Sequence, residues 1–152
     1  MTKENPFPNA EPILYFAYGS NMNRERMEQR CSGAVDLGHA VLPNYRLAER
    51  LYADIDTAAG REVHGVLYLL TPVHLAMLDR FEGYPYIYRR SWLEVEWRGF
   101  VYKAVTYEMT LSTKMARRKK PFPEGYRQLC SSGADFHNIP NAFKIPARRK
   151  KK

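Results

Sequence analysis

Apolar positions along this chain come in short runs and alternations rather than long amphipathic stripes, so strands dominate the reading. Ile13-Leu14-Tyr15-Phe16-Ala17-Tyr18 is almost wholly apolar and β-prone, as expected of a strand buried on both faces. Gly19-Ser20-Asn21 interrupts it. Met22, Arg26, Met27 and Arg30 then recur at helical spacing, which predicts a helix over 23–30 with Asn21 or Asn23 as its cap. Between Gly33 and Asp56 the pattern predicts strands over 34–41 and 45–49 and a weaker one over 51–55, with Pro43-Asn44 as a turn. Ala58-Ala59-Gly60-Arg61 reads as another turn, and Val63 to Leu70 as a strand.

Thr71-Pro72 carries a helix start, with Thr71 as N-cap and Pro72 in the first turn. Leu75, Leu78 and Phe81 follow on one face, and Gly83 supplies the stop. Leu93, Val95 and Trp97 alternate with Trp92, Glu94 and Glu96, Arg98-Gly99 turns the chain, and Val101 to Met109 returns. That pair predicts a hairpin. Residues 110–124 read as a basic, proline-containing loop, 125–132 as a short helix, 133–138 as a loop, and 140–145 as a second short helical piece. The sum is one α+β domain over 13–145, a small mixed, barrel-like sheet with a few peripheral helices. An irregular lead-in at 1–12 precedes it and a basic tail at 146–152 follows.

Composition narrows the class. A chain of 152 residues with 45% hydrophobic and 13% aromatic residues buries a real core and is not disordered. No apolar run approaches the roughly 20 residues of a membrane helix, and no apolar signal core follows Lys3, so the expectation is a cytoplasmic protein. Cys31 and Cys130 lack disulfide-scaffold or metal-ligand spacing and read as buried thiols. His39, His64, His74 and His137 are scattered, and no metal is expected. The net charge of +8 is concentrated in Arg117-Arg118-Lys119-Lys120 and in Arg148 to Lys152. Without those nine residues, 15 basic side chains face 16 acidic ones. Such runs read as solvated segments, or as a contact for an acidic partner or nucleic acid.

Three stretches carry candidate chemistry. In Tyr18-Gly19-Ser20-Asn21-Met22 a glycine lets the backbone approach a ligand, and the amides behind it suit a carboxylate or phosphate. The same residues equally suit an ordinary strand-to-helix turn, and they lack the spacing of a nucleotide-binding loop. Glu82 ends a helix with its apolar face inward. The dipole's negative end and partial desolvation both raise a carboxyl pKa there, as an acid/base requires, although a solvated terminal glutamate is the commoner case. Tyr84, Tyr86, Tyr88, Arg89 and Arg90 form an aromatic and basic cluster, either pocket-lining or simple packing beside a loop. Glu94 and Glu96 read as surface residues, and Asp79 as a local partner of Arg80 or another neighbour.

Taken together, segments 15–22, 63–68 (Val-His-Gly-Val-Leu-Tyr), 78–83 (Leu-Asp-Arg-Phe-Glu-Gly), Tyr88-Arg89 and a late stretch from Tyr126 through Cys130 and Gly133-Ala134 to Ile139-Pro140 resemble the γ-glutamylcyclotransferase-like family, including its avirulence-induced plant group. The resemblance implies a small β-barrel-like fold and release of 5-oxoproline from a γ-glutamyl amide, a lyase- or transferase-type acyl transfer without a cofactor. It implies that the Tyr18–Met22 loop holds the glutamyl moiety, that Glu82 is the catalytic glutamate and that Tyr88 falls near a family tyrosine. The basic segments are not part of the family's pattern. The alternative is a binding protein on the same fold that uses them for an acidic partner or nucleic acid.

Overall fold

In the computed structural model, which describes residues 12–145, five strands close into one barrel in the order β1-β3-β2-β4-β5. Strand β1 (Ile13–Ala17) leads to a single 3-10 turn at Ser20–Met22 and then helix α1 (Arg24–Arg30). Strands β2 (Val35–Arg50) and β3 (Tyr52–Leu70) precede helix α2 (Pro72–Glu82), strands β4 (Tyr88–Trp97) and β5 (Phe100–Met109), and helices α3 (Leu111–Ala116) and α4 (Glu124–Phe136). The sheet is mixed. β1 runs antiparallel to β3, Ile13 opposite Leu70, and closes the barrel by a parallel contact of Tyr15 with Val105 of β5. A strand in that position has neighbours on both edges, which fits its nearly all-apolar sequence. The expected lead-in and basic tail lie outside the described residues, apart from Pro12. Among the described residues no helix is long and apolar enough to cross a membrane.

The region read as several strands and two turns is instead one long ribbon. β2 and β3 pair from Val35 opposite Leu69 to Arg50 opposite Tyr52, with Leu51 alone at the turn. The register slips between Pro43 and Tyr45, where Asn44 has φ 64°. The side chain of Asn44 accepts the Gly60 amide at 3.1 Å. The turn-forming residues at 43–44 and 58–61 thus face each other across a β-bulge, which bends the ribbon without ending it.

Helix α2 follows its sequence signals closely. The Thr71 side chain accepts from the His74 amide, Pro72 opens the helix, and Gly83 closes it in the left-handed region at φ 66°, a conformation glycine adopts without a Cβ penalty. Leu75 and Leu78 are buried on the barrel, each worth roughly 1.5–3 kcal/mol, and their packing sets where Glu82 emerges. Asn23 caps α1 by accepting the Arg26 amide at 3.0 Å, which frees Asn21 for another role. The β4–β5 hairpin matches its alternation: Val95 is buried while Trp92, Glu94 and Glu96 are exposed.

Three late elements differ from the sequence reading. The expected loop at 110–124 contains α3, helix α4 continues through 133–136, and 140–145 is turn rather than helix. Asn141 holds that turn by accepting the Phe143 amide and donating to the Ser131 carbonyl. Gly133, read as the start of a loop, is instead a contact point within α4. A Cβ there would stand 2.4 Å from the Met22 carbonyl carbon and 2.6 Å from the Asn23 nitrogen. Neither is a flexible side-chain tip, so Gly133→Ala is expected to push α4 off the 20–22 turn, with a loss of about 1–3 kcal/mol. Thermal unfolding of the variant measures this, and an unchanged midpoint contradicts it. Cys31 and Cys130 are buried free thiols, as expected.

Candidate active site

The end of β1, the turn after it, the C-terminus of α2 and the start of β4 converge on one cavity of about 270 Å³. Tyr18, Gly19, Ser20, Asn21, Glu82 and Tyr88 all line it. Met22 does not. Its side chain is buried and packs under α4, so it supports the turn from behind.

The turn is held on every side. The Tyr68 hydroxyl donates to the Asn21 carbonyl at 2.9 Å. Asn21 Nδ2 donates to the Tyr15 hydroxyl at 3.0 Å and lies 3.5 Å from Glu82 Oε1. Arg30 Nη1 donates to Asn21 Oδ1 at 3.1 Å. Asn21 therefore sits between a cation and the glutamate with its amide orientation fixed. Gly19 has no room for a side chain, because a Cβ would lie 2.7 Å from the Tyr126 hydroxyl and 3.2 Å from the Ala53 Cβ.

Ala53 organises the opposite wall through its backbone. Its N–H donates to the Tyr126 hydroxyl and its carbonyl accepts from the Tyr88 hydroxyl, each at 3.0 Å. The next residue, Asp54, is fully buried and anchors this part of β3. Its carboxylate accepts from the Met109 amide at 2.9 Å, from Arg50 at 2.7 Å and from Lys114 at 2.9 Å. Neighbouring Asp56 joins the same cations. Burial raises its pKa, but hydrogen bonds from Arg50 and Lys114 outweigh that and hold it at about 2.

Among the described residues Glu82 is the only carboxylate lining the cavity. Burial pushes its pKa up to about 7, against the pull of Arg30 and then Arg26 toward the ionised form. Desolvation thus wins over two nearby guanidinium groups, and the side chain exchanges a proton near neutral pH. Tyr15, Tyr18 and Tyr88 are held above the usual phenol range, foremost by burial, with the Glu82 charge adding in each case. They stay neutral and act as hydrogen-bonding walls.

Asp79, expected to pair locally, belongs to a separate brace. It accepts from Arg90 Nε at 3.0 Å and from the Tyr107 hydroxyl at 2.6 Å, tying α2 to β4 and β5. Of the aromatic cluster only Tyr88 enters the cavity. Tyr84 lies under the Arg90 guanidinium at 4.6 Å, and Tyr86 is exposed.

Three arginines in the wall escaped the sequence reading. Arg26 and Arg30 come from α1 and Arg117 from the end of α3. The first two stand at i and i+4 just behind the glycine turn, which aims one face of α1 at the turn. Arg117 belongs to a run read as solvated. Arg118, Lys119 and Lys120 are exposed, but Arg117 is partly buried and lies 5.3 Å from the Tyr52 ring centroid.

The site thus lies at a closed five-stranded barrel, with a buried glutamate facing a strand–glycine–turn motif. The chain belongs to the γ-glutamyl cyclotransferase, AIG2-like family, whose model matches residues 15–127. It is 34% identical to the γ-glutamylcyclotransferase of Bos taurus over 87 residues, which is 49% of this chain and 46% of that protein. The Mus musculus protein of the same name is 35% identical over 85 residues. The matches thus span less than half the length of these curated relatives. Among solved structures, uncharacterized protein loc79017 from Homo sapiens superposes with a TM-score of 0.74 at 27% identity, covering 86% of this chain and 82% of that one. A structure named γ-glutamyl cyclotransferase superposes with a TM-score of 0.72 over 93% of each chain at 23% identity, a likeness of fold.

Proposed function

We propose that the cavity binds a γ-glutamyl amide and releases 5-oxoproline, with Glu82 as the general acid/base. The observation that carries this reading is the Glu82 carboxyl, held near neutrality by burial and facing the 18–21 turn. The names of the relatives point to the same reaction.

The chemistry asks little of the protein. The substrate's own α-amine attacks its γ-carbonyl and closes a five-membered ring. Because attack is intramolecular, holding the chain folded supplies much of the acceleration, within the roughly 7–11 kcal/mol that positioning can reach. What remains is proton traffic. Ionised Glu82 takes a proton from the α-ammonium, the amine adds to the carbonyl, and the protonated carboxyl returns that proton to the departing nitrogen. The ring nitrogen then gives up its second proton through Glu82 to the released amine, which leaves as an ammonium. The amides of Gly19 to Asn21 face the α-carboxylate or the developing oxyanion. Neither a nucleophilic side chain nor a cofactor enters this scheme.

Two outcomes follow for the assay. Supplied with γ-glutamyl dipeptides, γ-glutamyl-lysine and glutathione, the protein is expected to release 5-oxoproline from at least one, and no release from any of them contradicts the proposal. Since the base form of Glu82 starts the reaction, kcat/KM is expected to fall about tenfold per pH unit below its pKa and to level off above about pH 7. A profile flat between about pH 5 and 8 contradicts the assignment.

A further inference from the structure

Two guanidinium nitrogens in the cavity wall have no partner. Arg26 Nε and Arg117 Nη1 are fully buried and hydrogen-bond to nothing among the described residues. Both side chains line the cavity that holds Glu82. Neither forms an ion pair within the described residues, and Arg30 beside them spends Nη1 on Asn21. A buried charged donor without an acceptor is costly. Two of them in one wall mark places where an acceptor arrives with the ligand.

Arg117 is held in place by more than chance packing. Three residues earlier, Lys114 Nζ donates to Asp54 Oδ2 at 2.9 Å, to the Ile55 carbonyl at 2.8 Å and to Asp56 Oδ1 at 2.9 Å. That clamp fixes α3 on β3, and Tyr52 of β3 supplies the ring beside Arg117. The rest of the basic run, Arg118 to Lys120, is exposed. One member of the run has thus been turned inward while its neighbours face solvent.

Counting charges gives the ligand's chemistry. Among the described residues, three arginines and the single carboxylate Glu82 line the cavity. A γ-glutamyl group brings one α-carboxylate together with an α-ammonium, so it is neutral overall and satisfies one guanidinium. Arg26, on the helix that continues from the 20–22 turn, is placed to share that carboxylate with the turn. Arg117 approaches from another element and needs a second anion, which the glutamyl group does not have.

We infer that Arg117 is a specificity-determining residue that selects γ-glutamyl amides whose leaving amine carries a carboxylate. The inference rests on the cyclotransferase reading above and adds the charge of the released amine. An arginine suits this task because its planar fork pairs with a carboxylate through two parallel bonds.

The test uses γ-glutamyl-alanine and γ-glutamyl-alaninamide, which differ by one negative charge on the leaving group, and compares kcat/KM for 5-oxoproline release. The wild-type protein is expected to favour the acid by at least about tenfold, the scale of one charge-assisted contact. Arg117→Gln is expected to bring that ratio close to one, Arg117→Lys to restore part of it, and Arg118→Gln to leave it unchanged. Equal rates on the two substrates in the wild type overturn the inference while the cyclotransferase reading stands. A ratio that survives in Arg117→Gln, or a loss equal on both substrates, also overturns it. No release from these two substrates, from other γ-glutamyl dipeptides, from γ-glutamyl-lysine or from glutathione overturns the cyclotransferase reading, and the inference falls with it. Release from γ-glutamyl-lysine or glutathione but from neither alanine substrate overturns the inference alone.

Discussion

Replacing Glu82 by glutamine is expected to lower 5-oxoproline release by roughly 10²–10⁴-fold, the range of a positioned acid/base. Glutamine keeps the size of the side chain and its ability to accept from Asn21, so the loss isolates the proton. Stability should move the other way at high pH. Burial raises the Glu82 pKa to about 7, so folding favours the protonated form. The stabilisation from that form is complete below the ordinary glutamate range and is lost as pH rises through about 7. The neutral glutamine escapes this loss. Glu82→Gln should therefore unfold at a higher temperature than the wild type above about pH 8, with little difference near pH 5. A variant that folds normally and keeps full turnover contradicts the role given to Glu82. A wild-type advantage in stability at high pH contradicts the desolvation argument.

Asp54→Ala is expected to cost about 3 kcal/mol in folding stability. Asp54 is completely buried, and its removal strands the Met109 amide and takes one partner each from Arg50 and Lys114. Breaking such a buried arrangement ordinarily costs about 3–5 kcal/mol. The low end applies because Asp56 remains close to both cations. For a domain of this size the midpoint should fall by on the order of 10 °C. The loss should reach the site as well, because Ala53 next door positions Tyr88 and Tyr126, and Lys114 positions α3. Thermal unfolding followed by circular dichroism is the measurement, and a midpoint within about 2 °C of wild type contradicts the account.

Much of what positions Glu82 is written locally. Thr71, Pro72 and Gly83 mark both ends of α2, Leu75 and Leu78 its inner face, and these place the glutamate at the helix end. β1 and the β4–β5 hairpin are equally legible, since a two-sided burial and a two-residue alternation are both short-range patterns. The ribbon of β2 and β3 is not. Pro43-Asn44 and Gly60 carry turn chemistry, and only the pairing of Asn44 with Gly60 across the strands turns those signals into a bulge. Helix α3 is hidden for a different reason. Leu111 and Met115 are exposed, so no apolar stripe announces it, and its hold on the barrel is a lysine bonded to aspartates nearly sixty positions earlier. Gly133 falls in the segment read as a loop, because its partner, the backbone of Met22, is distant in sequence.

The site shows the same division. Tyr18 to Asn21, Glu82 and Tyr88 are found from motif and position, and the fold brings all of them to one cavity. The positive wall is not found, because Arg26 and Arg30 look like the polar face of a short helix and Arg117 like one of four solvated charges. Their convergence comes from the docking of α1 and α3 onto the barrel. Local sequence patterns report which side an element buries, but not which charges two elements bring together.

Under the proposed mechanism the substrate's own amine, and not water, attacks the γ-carbonyl under the control of Glu82. Turnover of a γ-glutamyl amide in heavy-oxygen water, with mass spectrometry of the products, tests it most directly. The expected products are 5-oxoproline and free amine in equal amounts, with no solvent oxygen in the ring product. Glutamate carrying one solvent oxygen in its γ-carboxylate would show hydrolysis instead and would contradict it.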